Sequence, residues 1–144
     1  MSPELGTDGP TAILVGVDGS RTSLRAAAYA GGLARRQDAA LVFVHVRTPS
    51  ALSGLAAHSG VVLDGRGTSD ELGRELLDAA AAVGVRAEFL SLAGDAYDQL
   101  TRTADARRAD AVVVGASERA GHWLVGSLAG RLVRAGRWPV TVVP

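Results

Sequence analysis

The sequence predicts an α/β protein built as one doubly wound, mostly parallel five-stranded sheet with helices on both faces. Three observations carry that prediction. Several apolar runs are continuous rather than alternating, among them Ala12–Val17 (AILVGV), Leu41–Val46 (LVFVHV) and Ala111–Val114 (AVVV). A strand with no polar face is one covered on both sides, as in a parallel sheet between helices. Segments of helical period separate these runs, so each strand returns through a crossover, which is right-handed in such sheets. With 144 residues, 47% of them hydrophobic, the chain suits one domain with a sizeable core.

Taken in order, Met1–Pro10 (MSPELGTDGP) is rich in Pro and Gly and reads as a disordered tail without chemistry, leaving 11–144 as the domain. Ala12–Val17 is the first strand, broken by Asp18-Gly19-Ser20. Ser20 or Thr22 caps a helix to about Arg36, with Leu24, Ala27, Ala28, Gly31 and Ala34 as its small-residue packing face. Leu41–Val46 is the second strand. The stretch Arg47–Gly67, with Pro49 and four Gly, has no persistent period and reads as a long functional or mobile loop.

Helical spacing resumes over Asp70–Val83, with Leu72, Leu76, Ala80 and Val83 on one face, and Gly84 is a stop. Val85–Leu92 alternates as a strand, Gly94-Asp95 opens a helix to about Arg108, and Ala111–Val114 is the fourth strand. Gly126–Gly136 is a helix and Val140–Val143 the last strand. In a sheet of this kind, ligands bind beyond the carboxyl ends of the strands where the strand order reverses. The ends of the first and fourth strands, Asp18 and Gly115, are therefore expected to face one another across a cleft. From Ala111 to Ser127 the order is strand, glycine-bearing loop and helix N-terminus, where backbone N–H groups and the helix dipole can hold a phosphate.

Composition excludes several function classes. Fifteen basic and fifteen acidic residues cancel, so no electrostatic footprint for nucleic acid or an acidic membrane surface is present. No apolar run approaches the ~18 residues of a membrane span, and the reading is of a soluble cytoplasmic protein. Cysteine is absent, which removes disulfides and thiolate chemistry. Lysine is absent too, which removes Schiff bases and P-loop mechanisms, so Gly121–Ser127 (G-x4-G-S) is no P-loop. His45 reads as a satisfied core or sheet-end histidine, and His58 has no metal-spaced partner. There is no nucleophile elbow, dinucleotide glycine fingerprint or readable acid–base pair.

VGVDGS, LVFVHV, the AGD of Ala93–Asp95, VVVGAS, VGSLAGRLV and WPVTVVP together resemble the universal stress protein family, from Ala12 to Pro144. The resemblance implies the adenine-nucleotide alpha-hydrolase-like fold, strand order 3-2-1-4-5 and a homodimer through the last strand. That family has one subclass that binds ATP and one that does not. The ATP subclass carries Gly, two residues, Gly, nine residues, then Gly with Ser or Thr. Gly115 matches the first glycine and Gly126-Ser127 the final pair. The middle glycine falls on Glu118, or on Ala116 counting backwards from Gly126, and ten residues separate Gly115 from Gly126, two fewer than the motif has.

The resemblance further places Asp18 where an acidic residue binds ribose and Val46 where backbone reads adenine. The implied cofactor is ATP, with Mg²⁺ neutralising phosphate charge in place of a lysine. Each position also has a purely structural reading. Asp18 can cap the first helix, Gly115 can be a tight strand exit, and Gly126-Ser127 can be a helix start satisfied by its own serine. Arg119 can meet a phosphate or be a solvated charge, and His122 and Trp123 can stack on a ligand or seal the loop. The function expected is a stress-response sensor that binds nucleotide, at most a slow ATPase. The alternative is a dimer acting through protein partners. An apolar edge strand at Val140–Val143 calls for a cover, and a second copy pairing through Val140 and Val142 provides one.

Overall fold

The computed structural model describes residues 10–47, 65–117 and 127–144. Nine elements alternate along them. They are β1 (Ala12–Gly16), α1 (Arg21–Gln37), β2 (Ala40–Arg47), α2 (Gly65–Ala82), β3 (Ala87–Ala93), α3 (Ala96–Ala106), β4 (Ala111–Gly115), α4 (Ser127–Ala135) and β5 (Val140–Val143). The strands form one sheet in the order β3-β2-β1-β4-β5, and every pairing is parallel. The doubly wound sheet and its strand order are those expected from the sequence.

The continuous apolar runs are explained by burial on both faces. Ile13, Val15, Leu41, Phe43 and Val113 join α1 and α2 in one core layer, while Leu14, Val42, Val44, Val112 and Val114 join Leu100 of α3 and Leu132 of α4 in the other. Leu132 is fully buried, which contributes about 1.5–3 kcal/mol relative to exposure. At the amino ends of the two central strands, the Asp110 carboxylate ties β4 to β1. Its Oδ2 accepts the N–H of Thr11 at 2.8 Å and of Ala12 at 3.0 Å, and the Thr11 hydroxyl at 3.0 Å.

Two helix faces depart from the sequence expectation. In α1 the buried positions are Thr22, Ser23, Ala26, Ala27, Ala30 and Ala34, so Leu24 and Ala28 lie on the exposed side. Alanine fills so many positions that apolar period alone does not set the phase. Hydrogen bonds made by Thr22 and Ser23 select it. The second helix begins at Gly65 rather than Asp70, inside the stretch read as loop. Its buried face is Ser69, Gly73, Leu76 and Ala80, and Val83 is 46% exposed. The tail 1–9 and the remainder of the long loop, 48–64, lie outside the described residues.

Gly73 shows why α2 can lie so close to the sheet. A Cβ built there would stand 2.6 Å from Cδ1 of Phe89 in β3, well inside contact distance. Between α1 and α2, by contrast, a groove of about 420 Å³ opens over Leu41 and Phe43, bordered by Gly31 and Gly32. A Cβ built on either glycine meets nothing within 4 Å.

These two glycine environments predict opposite signs for the same substitution. Gly73→Ala should destabilise by about 1 kcal/mol, because overpacking against Phe89 outweighs the gain in helix propensity. Gly32→Ala should stabilise by about 0.5–1 kcal/mol, since only the propensity term acts. Urea denaturation of both variants decides it, and equal shifts would contradict the packing described.

Candidate functional site

The strand order reverses between β1 and β4, which are hydrogen-bonded neighbours at the centre of the sheet. In such folds the crevice lies beyond their carboxyl ends. The chain leaving β1 is Val17-Asp18-Gly19-Ser20, and Gly19, at φ 84°, takes the left-handed conformation that lets the backbone turn sharply into α1. Ser20 is the N-cap: its hydroxyl accepts the Ser23 N–H at 3.3 Å. Asp18 supports that turn instead of capping the helix itself. Its Oδ1 accepts the Ser20 N–H at 2.9 Å, and its own N–H donates to the Ser23 hydroxyl at 3.3 Å.

The other carboxylate oxygen of Asp18 makes no hydrogen bond among the described residues. Burial works to raise the Asp18 pKa, but the Ser20 N–H bond, the Ser20 and Ser23 hydroxyls close by and the nearby His45 outweigh it, holding the carboxyl below its ordinary value. The group is a charged acceptor with one face available at neutral pH.

Across the crevice, Gly115 ends β4 against the first turn of α1. A Cβ built on Gly115 would lie 2.5 Å from the Thr22 carbonyl carbon and 2.6 Å from the Ser23 nitrogen. Any side chain there would collide with helix backbone. Ala116 continues the seam: its carbonyl accepts the Thr22 hydroxyl at 2.6 Å and its N–H donates to the Val143 carbonyl at 2.7 Å. The first residue of the loop after β4 thus has both backbone groups engaged, and amides able to hold a ligand must come from further along that loop.

The third wall is the end of β2. The Val17 N–H donates to the Val44 carbonyl at 2.9 Å, which extends the β1–β2 ladder one step past Gly16↔Val44 and sets Val17 opposite His45. Val46 is partly buried, with its side chain in the α3 and α4 layer. His45 faces the other way. Its Nδ1 is 3.0 Å from the hydroxyl of Ser69 on α2, and Ser69 in turn donates to Ser91 of β3 at 2.7 Å. The ring stacks on Phe89 at 6.5 Å and 24°. His45 is thus the satisfied sheet-end histidine the sequence implied. Burial pushes its pKa down, with Asp18 opposing and Arg47 assisting. The Nε of Arg47 is buried and has no hydrogen-bond partner among the described residues.

Asp18, Val46 and Gly115 therefore come together at the ends of three adjacent strands, and Ser127 opens α4. Gly126, Glu118, Arg119, Gly121, His122 and Trp123 lie outside the described residues, as does His58. Reading the sequence missed Thr22, Ser23, Ser69 and Arg47 as members of this region. A signal existed for one contact: Ser91 is the polar residue of an otherwise apolar strand end, directly opposite His45 in the β2–β3 register. Among the described residues, no helix is long and apolar enough to cross a membrane.

The model of the universal stress protein family matches residues 11–144. No curated protein matches the chain. Among solved structures, a protein of that family from Burkholderia pseudomallei is 26% identical, covering 93% of this chain and 96% of its own, with a TM-score of 0.71. A universal stress protein in complex with cAMP is 28% identical over 93% and 96% of the two chains, with a TM-score of 0.70. The universal stress protein from Archaeoglobus fulgidus in complex with dAMP, 21% identical over 93% and 98%, has a TM-score of 0.68 and shares the fold.

The Gly115 contact leads to a direct test. Gly115→Ala should cost at least about 2 kcal/mol, because the obstruction is backbone on the helix side and cannot rotate away. A urea midpoint within error of the wild type would show that the β4 exit is not locked against α1.

Proposed function

Because the chain belongs to the universal stress protein family, we propose that it is a cytoplasmic stress-response sensor that binds an adenine nucleotide between the ends of β1 and β4. The observation that carries this reading is Asp18: a charged carboxylate at the strand-order switch point, with one oxygen left over after the other has ordered the turn into α1. A free acceptor there suits a sugar hydroxyl. The 28% identical relative in complex with cAMP supports the choice of ligand class. The base would lie along the backbone at Val46, and phosphates would lie near Gly115, Gly126 and Ser127. Among the described residues, no group of three His, Asp or Glu side chains is placed to hold a metal, so Mg²⁺ would arrive with the phosphates of ATP. At most the protein would be a slow ATPase.

A second reading, a dimer of the non-nucleotide subclass acting through protein partners, draws on the β4 exit and the loop after it. Both backbone groups of Ala116 are already engaged, and the loop that follows is shorter than the ATP motif, with Glu118 in place of glycine. Fewer free amides and a carboxylate would weaken a polyphosphate cradle.

Isothermal titration with Mg-ATP, AMP and cAMP, after mass spectrometry for nucleotide carried from the host, separates the two. Micromolar binding, reduced tenfold or more by Asp18→Ala, is expected, since a hydrogen bond to a charged group contributes about 1.5–3 kcal/mol. No binding at millimolar nucleotide would favour the partner-binding subclass.

The dimer is proposed for either reading, by pairing of β5 with its copy at the free sheet edge. Val142→Lys should shift the protein toward monomer in sedimentation equilibrium, and a mutant that sediments as a dimer would place the interface elsewhere.

A further inference from the structure

The groove between α1 and α2 lies on the sheet face turned away from α3 and α4. Leu41 and Phe43 form its floor, 1% and 2% exposed, while Leu24 and Val83 on its walls are 41% and 46% exposed. Water reaches the walls and hardly touches the floor. That is the profile of a slot, too narrow to seat a helix of about 10 Å diameter. Among the described residues, Arg35 in the last turn of α1 is the one charged side chain lining it, and no acidic group does. Arg35 makes no hydrogen bond or ion pair among them.

Two adjacent glycines keep the slot open. Gly73 and Gly115 are required by what they touch, since a Cβ on either collides with a neighbour. Gly31 and Gly32 are different: a Cβ on either meets nothing within 4 Å, although each glycine weakens the middle of α1 by about 1 kcal/mol relative to alanine. Packing within the described residues gives no reason for them. They leave space along a wall that is otherwise apolar.

A thin apolar chain with an anionic end matches this shape and charge. The groove holds about 420 Å³, within the range of about 300–1,000 Å³ typical of ligand sites. From Leu24 to Arg35 the α1 wall runs about 16 Å, close to the length of an extended dodecanoate. At the end of that wall, the guanidinium offers the paired donors that suit a carboxylate. We propose that the α1–α2 groove binds the acyl chain of a free medium-chain fatty acid, with its carboxylate on Arg35. The site is separate from the nucleotide crevice, because Arg35 is at the opposite end of α1 from Asp18 and Ser20, and it does not depend on that reading.

The test is an NMR titration of the full chain with dodecanoate, decanoate and dodecanol, each below the concentration at which it aggregates. Dodecanoate should saturate one site, and decanoate should bind about tenfold more weakly, as each buried methylene contributes about fourfold. Dodecanol should bind about two- to fivefold more weakly than dodecanoate, the size of an exposed ion pair, and Arg35→Gln should remove that difference. Gly31→Leu, which fills the slot, should reduce dodecanoate binding tenfold or more. Nitroxide-labelled dodecanoate should broaden the amides of Leu24, Gly31, Gly32 and Val83 in the wild type, a readout that needs no variant. Absence of saturable binding at millimolar dodecanoate, or broadening centred elsewhere, overturns the site. Full affinity in folded Gly31→Leu does the same. Equal binding of dodecanol and dodecanoate overturns the role of Arg35, and adsorption to phosphatidylglycerol vesicles without binding of monomeric dodecanoate would make the face a membrane contact and refute the proposal.

Discussion

The constraint on which the rest of this structure depends is the missing side chain at Gly115. Because nothing projects from that Cα, the first turn of α1 can lie directly on the exit of β4, with a hypothetical Cβ only 2.5 Å from helix backbone. The Thr22 hydroxyl can then reach the Ala116 carbonyl. Those contacts bury Thr22 and Ser23 and set the rotation of α1 on the sheet. The same first turn holds Asp18 through the Ser23 hydroxyl. One absent methyl group thus sets helix phase, closes the seam between β1 and β4, and orients the carboxylate at the crevice.

A second seam works by different means. On the side of α2, contact with the sheet combines a glycine that admits an aromatic ring, Gly73 over Phe89, with a buried hydroxyl chain from Ser69 to Ser91 and His45. Buried polar groups cost a great deal when unpaired and specify geometry when paired. The apolar contact draws the helix close; the hydroxyl chain fixes where along its axis it stops. The crevice is bounded by these two seams, and its polar groups inherit their positions from both.

Much of this was legible in the residues. Continuous apolar runs at Ala12–Val17 and Ala111–Val114 announce strands buried on both faces, and the switch point follows from alternation with helices. Asp18 and Gly115 were placed at facing strand ends for that reason. The phase of α1 was not legible, because alanine at Ala26, Ala27, Ala28 and Ala30 looks alike on every face, and the choice rests on tertiary hydrogen bonds of Thr22 and Ser23. The start of α2 was hidden for a similar reason: Gly65 and Gly67 argue for loop by propensity, while the helix there is anchored from Ser69 onward by contacts with other strands. The partners of His45 escaped notice because Ser69 and Ser91 lie 24 and 46 positions further along the chain.

The central position of β1 has a consequence for how the chain reaches this state. Its partner on one side, β2, follows after a single helix, but its partner on the other, β4, is far off: the Thr11–Asp110 bonds join residues 99 apart. As the chain emerges from a ribosome, β1, β2 and β3 can pair while the other edge of β1, apolar on both faces, stays open until β4 has been made. Non-local parallel pairing of this kind folds slowly and leaves an aggregation-prone edge in the interval. The strand that organises the finished crevice is therefore also the one most exposed during synthesis, when a chaperone would matter most to this protein.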